Sequence, residues 1–217
     1  MGHKKDFARI LENGHFHRLA HNNSPHVFVL DTGVIIDLED DYHSKKISIH
    51  PAAILERACM DHPIIITPGV LQEIKTHRKE RKNQYRFEIS EATYVLAKKL
   101  QEECQIALSN PQIYGLDSEE SEFYRYYVHL AANHAFQKDY RKGVKNPISN
   151  ADKEMMHYSL LLGSGSYQGK PLGLVNILSP DGHIQKTIET LKIIEDFKKH
   201  PVKVIHTRKD MRRHLRK

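Results

Sequence analysis

The chain reads as an α/β sandwich around a central parallel sheet. The apolar runs VFVLD (27–31), PIIITP (63–68), GLVNILS (173–179) and PVKVIH (201–206) are mostly continuous rather than alternating. Continuous apolar character suits strands covered on both faces of a parallel sheet. Segments of helical period separate these runs, and strands alternating with helices imply parallel pairing through crossovers.

Taken in order, an opening helix is expected around Asp6 to Ala20, within an N-terminal helical extension spanning 1–24. The main domain spans 25–206. After the strand at 27–31, PAAILERACMDH (51–62) reads as a helix, and a second helix opens at Gly69 after the strand at 63–68. A helical insertion at about 80–146 carries two long segments, 89–108 and 118–136. In the second of these, Phe123, Tyr127, Leu130, Ala131 and His134 share one helical face. Pro147, Ser149 and Asn150 mark the start of the next helix and Gly163 its end. The segment from Pro180 to His200 reads as one helix before the final strand. Residues 110–117 and the Gly-rich loop 163–173 are the expected mobile stretches.

Composition narrows the class of protein. The 217 residues, 39% apolar, suffice for one sizeable domain with elaborations. Cys59 and Cys104 lack zinc or redox spacing and are too few for a disulfide scaffold, so a reducing compartment is expected. No apolar run is long enough to span a membrane, and the charged N-terminus does not resemble a signal peptide. An intracellular, cytoplasmic protein without a membrane partner is therefore expected. The net charge is +6, but residues 206–217 hold six bases, Arg208, Lys209, Arg212, Arg213, Arg216 and Lys217, against Asp210 alone. The remainder carries 27 bases and 26 acids, close to +1. This basic tail, 207–217, is either a phosphate-binding arm or a solvated end.

The acids fall in a pattern. Asp31 ends the first strand, Glu73 lies one turn into the helix after the second, Asp152 is in the first turn of the helix after Ser149, and Asp181 follows the third strand. These positions belong to the carboxyl edge of a parallel sheet, where ligands gather. Singly, Asp152 and Asp181 could cap helices and Glu73 could be a surface residue. Together they would repel, by about 4 kcal/mol for a pair 4 Å apart at an effective dielectric near 20. A cation would neutralise such a cluster. All-oxygen donors suit Mg²⁺ or Mn²⁺, the ions of metal-assisted phosphodiester hydrolysis.

VLDTGVIID, TPGVLQEI, SNADKEMM and NILSPDGHI resemble, in order and in position relative to the strands, the four acidic motifs of the PIN-domain nuclease family. The resemblance runs from about Val27 to His206, interrupted by the helical stretch between Lys79 and Asn146, and implies a three-layer α/β/α sandwich with a central parallel sheet, a Mg²⁺ or Mn²⁺ cofactor and RNA as substrate. Carried over by motif, Asp31, Asp152 and Asp181 would hold the metal. Glu73 would bind it through water or orient the attacking water, while Thr32 and Ser179 would position substrate. The implied activity is that of a metal-dependent endoribonuclease. The alternative is a PIN-fold RNA-binding or assembly factor with little or no catalytic activity. Partners other than RNA would be a second copy of the chain or another protein. Gly33 departs from the DTN or DTS pattern frequent in the family.

Other patterns carry less. Asp31-Thr32-Gly33 spells the aspartic-protease triplet, but those enzymes need a β-rich frame and a second paired aspartate. Dehalogenase-like phosphatases need an acid where Gly33 stands, and GSGSYQGKP has Ser164 and Pro171 where a P-loop needs Gly and Ser or Thr. His17 and His21 lie four apart on the opening helix without a third ligand. Tyr124, Tyr126 and Tyr127 could stack on bases, although core packing better explains Tyr127. Asp37 is expected at a turn or cap, with an outer-shell role as the alternative. A toxin of a toxin–antitoxin pair would use the same chemistry, but the chain is long for one.

Overall fold

Leu30 and Leu178 lie side by side at the carboxyl ends of two neighbouring strands, and the remaining elements are arranged around that pair. The computed structural model describes residues 26–61, 63–79, 88–109, 118–144, 147–164, 166–167, 170–171 and 174–206. The expected opening helix, His17 and His21, the loop 110–117 and the basic tail lie outside the described residues. Strands β1 (His26–Leu30), β2 (Ile64–Ile65), β5 (Leu174–Ser179) and β6 (Val202–His206) form an all-parallel sheet in the order β2-β1-β5-β6. Strands β3 (Ser166–Tyr167) and β4 (Lys170–Pro171) form a separate antiparallel pair within the Gly-rich loop. The described chain is therefore α/β with a four-stranded parallel sheet, as expected.

The apolar runs account for the sheet. In β1, Val27, Phe28, Val29 and Leu30 are at most 1% exposed, because β1 lies between β2 and β5. Full burial of both faces is what selects continuous apolar sequence over alternation.

Eight helices are described. They are α1 (Thr32–His43), α2 (Pro51–Asp61), α3 (Pro68–Lys79), α4 (Glu91–Ser109), α5 (Ser118–Ala135), α6 (Gln137–Arg141), α7 (Asn150–Ser164) and α8 (Gly182–Leu191). Helix α7 packs against α5, α3 and β5, while α8 packs against α5 and β6. Glu39 of α1 is buried and accepts bonds from the backbone N–H of Ser90 (3.1 Å) and its hydroxyl (2.7 Å), tying α1 to the start of α4. None of the described helices is long and apolar enough to cross a membrane.

Three expectations are corrected. Asp37 is not at a turn: it lies inside α1, which starts directly after Asp31 and buries Val34, Ile35 and Leu38. The apolar spacing of VIIDL is helical there, and Asp31 caps the helix through the Gly33 N–H. The segment 180–200 is not one helix. Helix α8 stops at Leu191, Ile194 is extended, and a 3₁₀ turn at Glu195–Phe197 buries Phe197 at 1% exposure. On α5 the buried stripe is Tyr124, Val128, Ala131 and Ala132, whereas Phe123 and Leu130 are 42% and 44% exposed. Tyr127, half-buried, packs on Phe197 at 5.2 Å between ring centroids, and Tyr126 is exposed.

Gly69, at the start of α3, allows that helix end to approach α7. A Cβ there would lie 2.9 Å from the Ala151 Cα and would strike the Glu154 carboxylate. Overpacking at such a contact costs about 1–3 kcal/mol. Gly69→Val is expected to lose stability in that range in urea unfolding, and an unchanged midpoint would show that the two helices are free to separate.

Candidate active site

Parallel order places the first acid where two crossovers diverge. From β1 the chain passes to β2 on one side, while β5 lies on the other, so the carboxyl ends of β1 and β5 flank a topological switch point. Asp31 follows β1 directly, and its backbone N–H continues the ladder to the Leu178 carbonyl at 3.0 Å. Its carboxyl is therefore held at the sheet edge by the strand itself, with the residue only 6% exposed.

Hydroxyl groups tie the acids together. Ser179, fully buried at the end of β5, donates to Asp31 Oδ2 at 2.5 Å, and its oxygen accepts the Asp181 N–H at 2.9 Å. Thr32 donates to Glu73 Oε2 at 2.7 Å. Ser149 donates to Glu73 Oε1 at 3.2 Å and accepts the Asp152 N–H at 3.0 Å, while its own N–H reaches Asp152 Oδ2 at 3.1 Å. Asp181 caps α8 through the His183 N–H at 2.8 Å, and the His183 ring lies 3.3 Å from the same oxygen.

Thus Asp31, Thr32, Glu73, Asp152, Ser179 and Asp181 form one neighbourhood. Ser149 belongs with them and was marked in the sequence only as a helix start. Its signal is the S-x-x-D spacing of Ser149 and Asp152, a reciprocal cap whose hydroxyl is also available to Glu73. Capping describes Asp31, Asp152 and Asp181 as well, but it does not use up their acceptor capacity, since each ionised carboxylate has about four lone-pair sites.

The Gly33 departure has a steric reason. A Cβ at Gly33 would lie 2.5 and 3.0 Å from Pro180 Cγ and Cδ. Glycine therefore lets the first turn of α1 close onto the residue preceding Asp181, bringing the ends of β1 and β5 together.

Crowding acids away from water changes their titration. Burial pushes Asp31 up to about 7; the Ser179 and Gly33 bonds oppose this, and the charges of Asp152 and Glu73 add to it. Burial likewise pushes Asp152 up to about 6, against its bonds to Ser149 and with the charges of Glu73 and Asp181. The donor set is entirely hard oxygen, which fits Mg²⁺ or Mn²⁺. Among the described residues, however, no three His, Cys, Asp or Glu side chains are arranged to hold a metal ion. Glu73 and Asp31 are bonded instead to the neighbouring hydroxyls.

No family model, curated protein or solved structure matches the chain.

The raised acids make stability depend on pH with a definite sign. Between the ordinary 3.8 and about 7, folded Asp31 keeps a proton that the unfolded chain releases; Asp152 does the same up to about 6. The unfolded state then binds fewer protons, so stability falls as pH rises through this window in metal-free buffer. Asp31→Asn keeps an acceptor for Ser179 but cannot ionise. It should reduce the fall and be more stable than the wild type at pH 8, as read by urea unfolding at several pH values. A variant that is less stable at pH 8 would mean that the Asp31 charge is compensated within the fold.

Proposed function

We propose that the chain is a metal-dependent endoribonuclease of the PIN type, built as a three-layer α/β/α sandwich, which hydrolyses RNA phosphodiester bonds at the carboxyl edge of its sheet. One observation carries this reading. Four acids, one following β1, one each on α3 and α7 and one at the β5–α8 junction, meet at a switch point, where burial and neighbouring carboxylates oppose the ionisation of Asp31 and Asp152. An acid site assembled at that cost is understandable if a cation and a phosphate complete it.

Asp31, Asp152 and Asp181 would hold Mg²⁺ or Mn²⁺, with Glu73 acting through water. Such an ion, when bound, supplies Lewis acidity toward phosphate and neutralises the carboxylates. The chain's own residues do the positioning. Ser179 fixes Asp31 and the Asp181 backbone, so the first and fourth acids keep one relative placement. Thr32 and Ser149 hold the two oxygens of Glu73 from opposite elements, orienting a carboxylate suited to aligning the attacking water. Arg208, Lys209, Arg212, Arg213, Arg216 and Lys217 would serve as an arm on the RNA backbone.

The test is cleavage of labelled structured and unstructured RNAs with Mg²⁺, Mn²⁺ or EDTA. Asp31→Asn and Asp152→Asn should each lower turnover by about a hundredfold or more, since each removes a charge assigned to the metal. Both should remain folded by circular dichroism. Near-wild-type turnover in both variants would sink the assignment. RNA binding by the wild type without cleavage under any of these conditions would favour the assembly-factor alternative.

A further inference from the structure

Beside the acids lies a second feature of opposite charge. A cavity of about 480 Å³ lies between α5, α7 and the start of α3, lined among others by Gly69, Arg125, His129, Lys153, His157 and Tyr158. This volume is within the usual range for a small-ligand site. Arg125 and His129 are one helical turn apart on α5, as are Lys153 and His157 on α7. The two helices thus face each other with four basic groups.

Those groups are not neutralised from within. Among the described residues, the side chains of Arg125, His129 and Lys153 make no ion pair or hydrogen bond. The acid lining the cavity, Glu154, turns its carboxylate to the Gly69 N–H at the start of α3. The His157 Nε2–H donates to the Ser121 carbonyl at 2.8 Å, which anchors the ring. Burial lowers the pKa of His129, and Lys153 and Arg125 lower it further. His157 is also lowered by burial, against its bond to Ser121 and with Arg125 and His129 adding to the fall. Mutual repulsion in this cavity is the counterpart of the carboxylate repulsion next door.

The two features share one turn of helix. Asn150, Ala151 and Lys153 line the cavity, whereas Asp152, between them, belongs to the acid site. We infer that the cavity binds a backbone phosphate of single-stranded RNA, next along the strand from the phosphate held at the acids, through Arg125 and Lys153. Tyr158 and the histidine rings offer aromatic surface beside the cations, a combination suited to a nucleotide rather than a bare anion. The inference rests on the RNA reading but not on catalysis.

Binding is therefore measured on the full chain in EDTA, where no cleavage occurs, with a short fluorescent single-stranded RNA over a range of salt. Arg125→Gln/Lys153→Gln should weaken binding about tenfold and flatten the salt dependence, each lost phosphate contact contributing a slope of about 0.7. The charge-conserving Arg125→Lys/Lys153→Arg should retain most of the affinity and slope, separating charge from folding. Unchanged affinity and slope in the Gln variant would overturn the inference. So would equal loss in the charge-conserving variant, or a cavity that takes inorganic phosphate while contributing nothing to RNA binding. Cleavage without this binding effect would leave the nuclease reading standing, whereas the binding effect without cleavage would leave the cavity standing alone.

Discussion

Asp31 directly follows the central strand β1 with its carboxyl largely withdrawn from water, and the chain around it answers the cost of that position with two hydrogen bonds. The Ser179 hydroxyl from the neighbouring strand donates to it. The first turn of α1 offers a backbone N–H, and Gly33 allows that turn to close on Pro180. Neither bond is enough to hold the acid in its ordinary range, because burial dominates and two other carboxylates lie close by. A buried charge without an opposite partner is costly in any protein. This unrelieved cost sets the edge of the sheet apart from an ordinary set of helix caps.

The crowding is met mainly by hydroxyls, with the His183 ring beside Asp181. Thr32 and Ser149 occupy both oxygens of Glu73, while Ser149 and Ser179 also take up backbone N–H groups of Asp152 and Asp181. Hydroxyls can fix geometry without cancelling charge, leaving the net negative field available to a cation. Lys153 lies one residue from Asp152 on the same helix, in the cavity between α5 and α7, which Arg125 and His129 line from α5. Alternation along the first turn of α7 thus directs Asp152 to one region and Lys153 to another.

The sheet was readable from sequence because full burial on both faces leaves a continuous apolar signature, as in Val27 to Leu30. The acids were readable because strand ends are easy to place once the strands are known. Helix α1 was not, since its VII run continues the apolar character of β1 and hides a change of period at Asp31. The end of α8 at Leu191 was obscured for a related reason: ETLKIIEDFKK keeps a helix-like pattern, and only the burial of Phe197 in the core turns the chain. Ser149 was visible merely as a cap, because its bond to Glu73 joins residues 76 apart in sequence. The basic cavity depends likewise on two helices meeting, which no local pattern records.

In the function proposed above, these four acids would take up a divalent cation. The most direct test of that uptake is thermal unfolding of the metal-free protein at pH 7.5 during titration with Mn²⁺, in the absence of RNA. A ligand that binds only the folded chain raises stability in step with the logarithm of its concentration once it exceeds the dissociation constant. The melting temperature of the wild type should climb in this way, and that of Asp31→Asn should stay nearly flat. No rise in the wild type up to millimolar Mn²⁺, or an equal rise in the variant, would contradict the account.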